Sequence, residues 1–129
     1  MAFSLTWTAY TVIFEYSGLM SSRDIIESNE QVYGDSRFDH LRWQLIFADR
    51  VETVGFIEQD VKKIAFMDRA AARANTKIKV AFAGSSELIK SLFESYSKWA
   101  DDGTWDVYYF ESREAALRHI EDKLTSSMT

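Results

Sequence analysis

The sequence contains no cysteine. Disulfides, thiolate metal sites and cysteine nucleophiles are therefore excluded. Only two histidines occur, His40 and His119, which leaves little from which to build a catalytic triad or a histidine-based metal site. His40 falls in a loop beside Asp39. His119 falls on the last helix, off the apolar stripe of Ala116, Ile120 and Leu124, and both histidines are read as surface residues. Proline is absent as well; that is unusual but singles out no fold class. Glycine-rich phosphate motifs of the Gly-x-Gly-x-x-Gly or Walker type are missing. The longest apolar run is far short of a membrane span. The apolar amino-terminal stretch has no basic region, and its apolar residues alternate with Thr and Ser as in a strand rather than a signal peptide. These absences point to a cytoplasmic chain with no integral membrane segment.

What is present suits one folded domain spanning 1–129. A chain of 129 residues can bury roughly 65–70% of the surface its unfolded form exposes. The composition, 47% hydrophobic, 15% aromatic and 27% charged, supplies both a core and a solvated surface. The net charge of −5 disfavours nonspecific contact with nucleic acid or anionic lipid.

Phe3, Leu5 and Trp7 alternate with polar residues, the period of a half-buried strand. TVIFEY, 11–16, reads as a second strand paired to it in a hairpin, with Gly18 breaking it. Ser21 or Ser22 can cap a helix over 22–33, and Gly34 suits its end. DSRFDH, 35–40, is a polar loop. LRWQLIFA, 41–48, is apolar on both faces in its second half, as a central strand is. A loop over 49–57 follows, then a long helix over 58–75. IKVAFA, 78–83, is a further central strand, and a helix over 87–101 follows Gly84-Ser85-Ser86. Asp102-Gly103 punctuates. WDVYYF, 105–110, is the last strand. A helix capped by Ser112 runs to about 124, with a fraying tail. The order ββαβαβαβα implies an α/β fold: a mixed, mainly parallel sheet of about five strands with an amino-terminal hairpin, flanked by about four helices.

Several stretches resemble the SpoIIAA-like (STAS-like) superfamily, most closely bacterial STAS/SEC14-type proteins. They are VYGDSRFDHLRWQLIFAD at 32–49, DRAAARAN at 68–75, IKVAFAG at 78–84 and WDVYYFESREAAL from Trp105. The resemblance covers nearly the whole chain and implies fold more strongly than activity. The best-understood members are antagonists of anti-sigma factors. They bind a kinase-like partner and are switched by phosphorylation of a serine at the start of the helix after the third strand. The matching stretch here, 49–60, contains no serine; Glu58 and Gln59 stand roughly where the serines would be. The phosphoswitch is not carried over, and Thr53 is the only hydroxyl in the stretch. The SEC14-like branch binds lipids in a larger cavity, which this chain is too short to build without a partner subunit.

No nucleophile–base–orienter set is visible, so no catalytic residue, metal site or cofactor is assigned. Asp35 and Asp39, with Arg37 between them, match no metal loop and read as turn chemistry with an ion pair. The tryptophans lie on predicted elements rather than on a basic strip, which argues against nucleic-acid binding. The helix over 58–75 is the most informative element. Val61, Ile64, Ala65 and Ala72 form one apolar face, with Asp68 in its middle; that carboxyl requires a partner or a wet surrounding. A second apolar set, Phe66, Met67, Ala70 and Ala74, runs beside a basic stripe of Lys62, Arg69 and Arg73. This set meets either a neighbouring helix or a partner, and Phe66, Met67, Ala70 and Arg73 are the candidate contacts of a homodimer or regulatory interface. The carboxyl ends of the strands supply Asp49, Ser85, Ser86 and Glu111 as the candidate site for a small apolar, anionic or lipid-like ligand, although Ser85-Ser86 also reads as a helix cap. The leading expectation is a non-enzymatic regulatory or protein-interaction module; the alternative is a small-ligand binder.

Overall fold

The structure, a computed structural model, describes residues 3–100 and 104–128, and for 124–128 the backbone alone. Five strands, β1 (Phe3–Trp7), β2 (Thr11–Ser21), β3 (Trp43–Gly55), β4 (Lys79–Ala83) and β5 (Asp106–Phe110), form one sheet in the order β1-β2-β3-β4-β5. The β1–β2 pair is antiparallel and every other pair is parallel. Four helices, α1 (Ser22–Tyr33), α2 (Glu58–Ala71), α3 (Glu87–Ala100) and α4 (Arg113–Met128), complete the chain, with a 3₁₀ turn at Ser36–His40. This is the mixed α/β sheet with an amino-terminal hairpin that the sequence implied.

The placement of the helices follows from handedness. From β2 to β5 the chain steps across the sheet in one direction, and right-handed crossovers then put α1, α2 and α3 on one face. Only α4, which follows the last strand, takes the other face. The two-residue period of β3 serves both sides. Ile46 and Ala48 join the core beneath the three helices, while Trp43, Leu45 and Phe47 join the core beneath α4. Ala81 and Ala83 of β4 and Ala116 of α4 itself are buried at this contact, small enough to let the helix approach the sheet. His119 is part of this contact: its ring lies 5.1 Å from Phe110 and 5.8 Å from Trp43, so it is half-buried rather than a surface residue.

The boundaries differ from expectation in five places, each for a physical reason. β2 continues past Gly18, because a shift in register there lets Ser17–Ser21 go on pairing with β3. Residues 49–55, read as loop, are the other half of that two-strand extension; Val51, Thr53 and Val54 supply β-branched side chains. The 35–40 loop winds into the 3₁₀ turn, with the Asp35 side chain accepting from the Arg37 amide at 2.8 Å. α2 stops at Ala71, short of Asn75. The Asn75 side chain instead donates to the carbonyls of Phe38 (2.9 Å) and Leu41 (3.0 Å), and the Asn75 backbone carbonyl accepts from the Trp105 indole (2.7 Å). α4 continues to Met128, beyond its expected end near 124. The expected break at Asp102-Gly103 lies outside the described residues.

Two glycines carry backbone conformations that side chains disfavour. Gly18 has φ 65° with open space around it, whereas at Gly84, φ 154°, an added Cβ would lie 3.0 Å from Ile89 Cγ2. Gly18→Ala is therefore expected to cost about 1 kcal/mol of backbone strain alone. Gly84→Ala is expected to cost more, because it adds a clash at a backbone held by the Tyr109 hydroxyl (2.5 Å to the Gly84 carbonyl). Urea denaturation of the two variants checks this ordering, and equal losses would contradict it.

Candidate functional site

The inner side of α2 carries a buried polar cluster. Asp68, 7% exposed, faces α1 and α3 from the middle of the helix. Asn29 and Tyr33, one turn apart on α1, both donate to Oδ1, the amide at 3.4 Å and the phenol at shorter range. The Tyr96 hydroxyl, from α3, donates to Oδ2 at 2.5 Å. The partner that the sequence demanded for Asp68 is thus three donors from two other helices. Beside them Tyr16 of β2 bonds Ser28 Oγ at 2.6 Å, and Ser28 in turn donates to the Ile25 carbonyl at 2.9 Å. The Ser28 hydrogen is committed there, so the Tyr16 phenol is the donor in the first bond.

A cavity of about 40 Å³ adjoins the cluster, walled by apolar side chains such as Phe14, Ile46 and Phe82 and reached by Asp68, Asn29 and Gln44. Gln44 is 2% exposed, and its Nε2 meets no acceptor among the described residues. The volume suits about three water molecules at roughly 10–15 Å³ each. Burial pushes the Asp68 carboxyl up to about 6, against the hydrogen bonds of Tyr33 and Tyr96, which lower it. Burial, followed by the Asp68 charge, holds both phenols well above their ordinary range, so they remain donors. No histidine, lysine or arginine lines the cavity. The cluster can hold or release one proton and knit three helices together, but it offers no nucleophile with a base beside it.

The opposite side of α2 faces outward. Phe66 is 46% exposed, Ala70 and Arg73 are exposed, and Met67 is half-buried. Among the described residues no helix covers Phe66, Ala70 or Arg73. Gln59, Lys62, Lys63, Phe66 and Met67 line an open hollow. Lys62 and Arg69 lean over aromatic rings: the Lys62 ammonium is 4.8 Å from Trp99, and the Arg69 guanidinium is 5.2 Å from Phe66.

Beyond the carboxyl end of β3, an apolar groove of about 280 Å³ runs between the β3–α2 connection and α3. Val54, Ile57 and Leu88 are exposed along it, and Val61 and Leu92 form a wall that it shares with the core cavity. The residues nominated at the strand ends lie elsewhere. Asp49 bonds Arg113 Nε at 2.9 Å, and Arg113 also pairs with Glu15 and lies 4.7 Å over the Phe47 ring. Burial acts to raise the Asp49 carboxyl, but the Arg113 bonds outweigh it and leave it below its usual value. Ser86 Oγ accepts from the Ile89 amide at 3.3 Å as a helix cap, while Ser85 and Glu111 are exposed. Neither the cavity nor the groove is lined by any of these four. Thr53 is exposed on β3, short of the helix that Glu58 and Gln59 begin. Among the described residues no cluster of three or more histidine, aspartate or glutamate side chains could hold a metal, and no helix is long and apolar enough to cross a membrane.

Sequence reasoning singled out Asp68 but not Asn29, Tyr33, Tyr96 or Gln44. Two signals were available: the i, i+4 spacing of Asn29 and Tyr33, and a lone glutamine in an otherwise apolar strand core.

Comparison with models of protein families finds no match, and comparison with curated proteins finds none either. Among solved structures the chain is similar to the anti-sigma factor antagonist SpoIIAA in its unphosphorylated form, with TM-score 0.66 and 13% identity over 94% of this chain and 97% of that one. It is also similar to the phosphorylated form of the Bacillus cell fate determinant SpoIIAA, with TM-score 0.62 and 11% identity over 92% of this chain and 99% of that one. The chain has the SpoIIAA-like, or STAS-like, fold that the sequence resemblance implied.

Asp68 makes stability depend on pH in a defined direction. Its folded value of about 6 lies above the ordinary 3.8, so between those values the folded chain binds more protons than the unfolded chain. Stability therefore falls as pH rises through that window and levels off above it, by on the order of 3 kcal/mol. Asp68→Asn removes this titration. Urea denaturation at about pH 4 and about pH 7 should show the natural chain losing stability relative to the variant by roughly that amount. Parallel pH dependences would contradict the assignment.

Proposed function

We propose that this chain is a non-enzymatic regulatory module that acts by binding another protein, and that the outer face of α2 is its contact surface. The observation that carries this reading is a helix whose inner face already covers the sheet and whose outer side leaves Phe66 and Ala70 exposed and Met67 half-buried, with Arg73 exposed in the turn that follows. A helix needs one apolar face to join a core, and a second one left in solvent is a binding surface. The likeness to an anti-sigma factor antagonist supports a regulatory role of this kind. The family's serine switch is not part of the proposal, since α2 opens with Glu58 and Gln59.

Phe66→Glu tests this reading. The side chain is nearly half-exposed, so stability should change by no more than about 0.5 kcal/mol. The partner is identified by crosslinking in the source cells and then purified. The natural chain should bind it in calorimetry, and the variant should bind at least about tenfold more weakly with an unchanged melting curve. Equal binding by the two chains would remove α2 from the interface.

A second reading, a binder of a small apolar or lipid-like ligand, is favoured by one observation. The groove beside β3 and the core cavity have Val61 and Leu92 in common among the side chains that line them. Rotation of these two side chains would join the two spaces into a channel leading to Asp68 and Gln44. This reading predicts that dodecanoate raises the melting temperature of the natural chain and that Val61→Trp abolishes the effect. No shift in the natural chain, or the same shift in both, counts against it.

A further inference from the structure

We infer that the partner segment seated on α2 is acidic: a glutamate- or aspartate-rich stretch of another protein with an apolar side chain that covers Phe66. This rests on the reading of α2 as the contact surface and adds the chemistry of the occupant. The chain as a whole carries a net charge of −5, yet the outer side of α2 carries Lys62, Lys63 and Arg69, and Arg73 follows in the turn just past its end. Lys62, Lys63 and Arg73 form no ion pair among the described residues. Arg69 donates to the Trp99 carbonyl at 3.2 Å and lies over the Phe66 ring, and Lys62 lies over the Phe66 and Trp99 rings. The two acidic side chains that begin the helix are already engaged. Glu58 pairs with Lys98 at 3.3 Å, and Asp60 accepts from the Ile57 amide at 2.9 Å. A local cationic field around an exposed aromatic ring on an acidic protein selects an acidic, partly apolar partner.

The same charges argue against the other occupants. A second copy presenting this face would bring a cationic surface against a cationic surface. An anionic bilayer would be repelled at long range by the net charge, and among the described residues Phe66, 46% exposed, is the one large apolar side chain exposed on this face, too little for insertion.

Amide-resolved NMR titration tests the inference with a synthetic glutamate-rich peptide carrying one central leucine, and with its glutamine counterpart. The acidic peptide should perturb Lys62, Lys63, Phe66, Met67 and Arg73, and its affinity should fall with added salt. Charge reversal in the Lys62→Glu, Lys63→Glu double variant should weaken it at least about tenfold while the melting curve is unchanged. Equal binding of the glutamine peptide, absence of perturbation on α2, partition of the chain onto phosphatidylserine vesicles through this face, or a concentration-dependent dimer burying it would each overturn the inference. The purified partner separates this failure from that of the parent reading. If Phe66→Glu blocks that partner and the charge-reversed variant binds it normally, α2 remains the interface and the acidic character is wrong.

Discussion

A carboxyl group on the covered side of a helix cannot be left without hydrogen-bond donors, and the arrangement of α1, α2 and α3 answers that requirement. Asp68 takes Asn29 and Tyr33 from α1 and Tyr96 from α3. Apolar packing alone would allow these helices to slide over the sheet, since dispersion and burial are non-directional. Three hydrogen bonds converging on one carboxyl fix their mutual positions within a few tenths of an ångström. The spacing of Asn29 and Tyr33 then sets the rotation of α1, and Tyr96 sets that of α3. The cost is a carboxyl whose pKa burial raises to about 6, and a cavity beside it that apolar side chains leave unfilled.

Because α2 is tied down from the inside, its outward side is presented rigidly. The stretch of backbone that carries Phe66 and Met67 is held by the bonds that Asp68 makes to α1 and α3. The inner and outer faces of one helix thus differ: Asp68 and Ile64 organise the core, while Phe66 and Lys63, only one or two residues away, face solvent. The opposite face of the sheet needs no comparable device. α4 lies on small residues, Ala81 and Ala83, and packs by shape, with His119 among aromatic rings.

The two long strands give the carboxyl end of the sheet its character. β4 and β5 end where the sheet meets α3 and α4, but β2 and β3 continue as a separate two-strand ribbon. The ribbon carries the chain beyond the core before α2 begins, and this creates the groove lined by Val54, Phe56 and Ile57. The stretch that holds a phosphorylatable serine in the resembled family is here ribbon and helix start, with Thr53 paired opposite Leu19 in the ladder.

The sequence by itself determined the element order, the mixed sheet and the hairpin, because two-residue and helical periodicities are local properties of the chain. It also marked Asp68 as a carboxyl requiring partners and α2 as a helix with more apolar surface than one contact needs. Local patterns could not show that residues 49–55 pair with 17–21, since the strand character of either segment is stabilised only by the other. Nor could they name the donors to Asp68, which come from positions 28 to 39 residues away in the chain. Whether the second face of α2 was buried or exposed was likewise a matter of tertiary structure: right-handed crossovers place α1 and α3 at its flanks and leave Phe66 in the open.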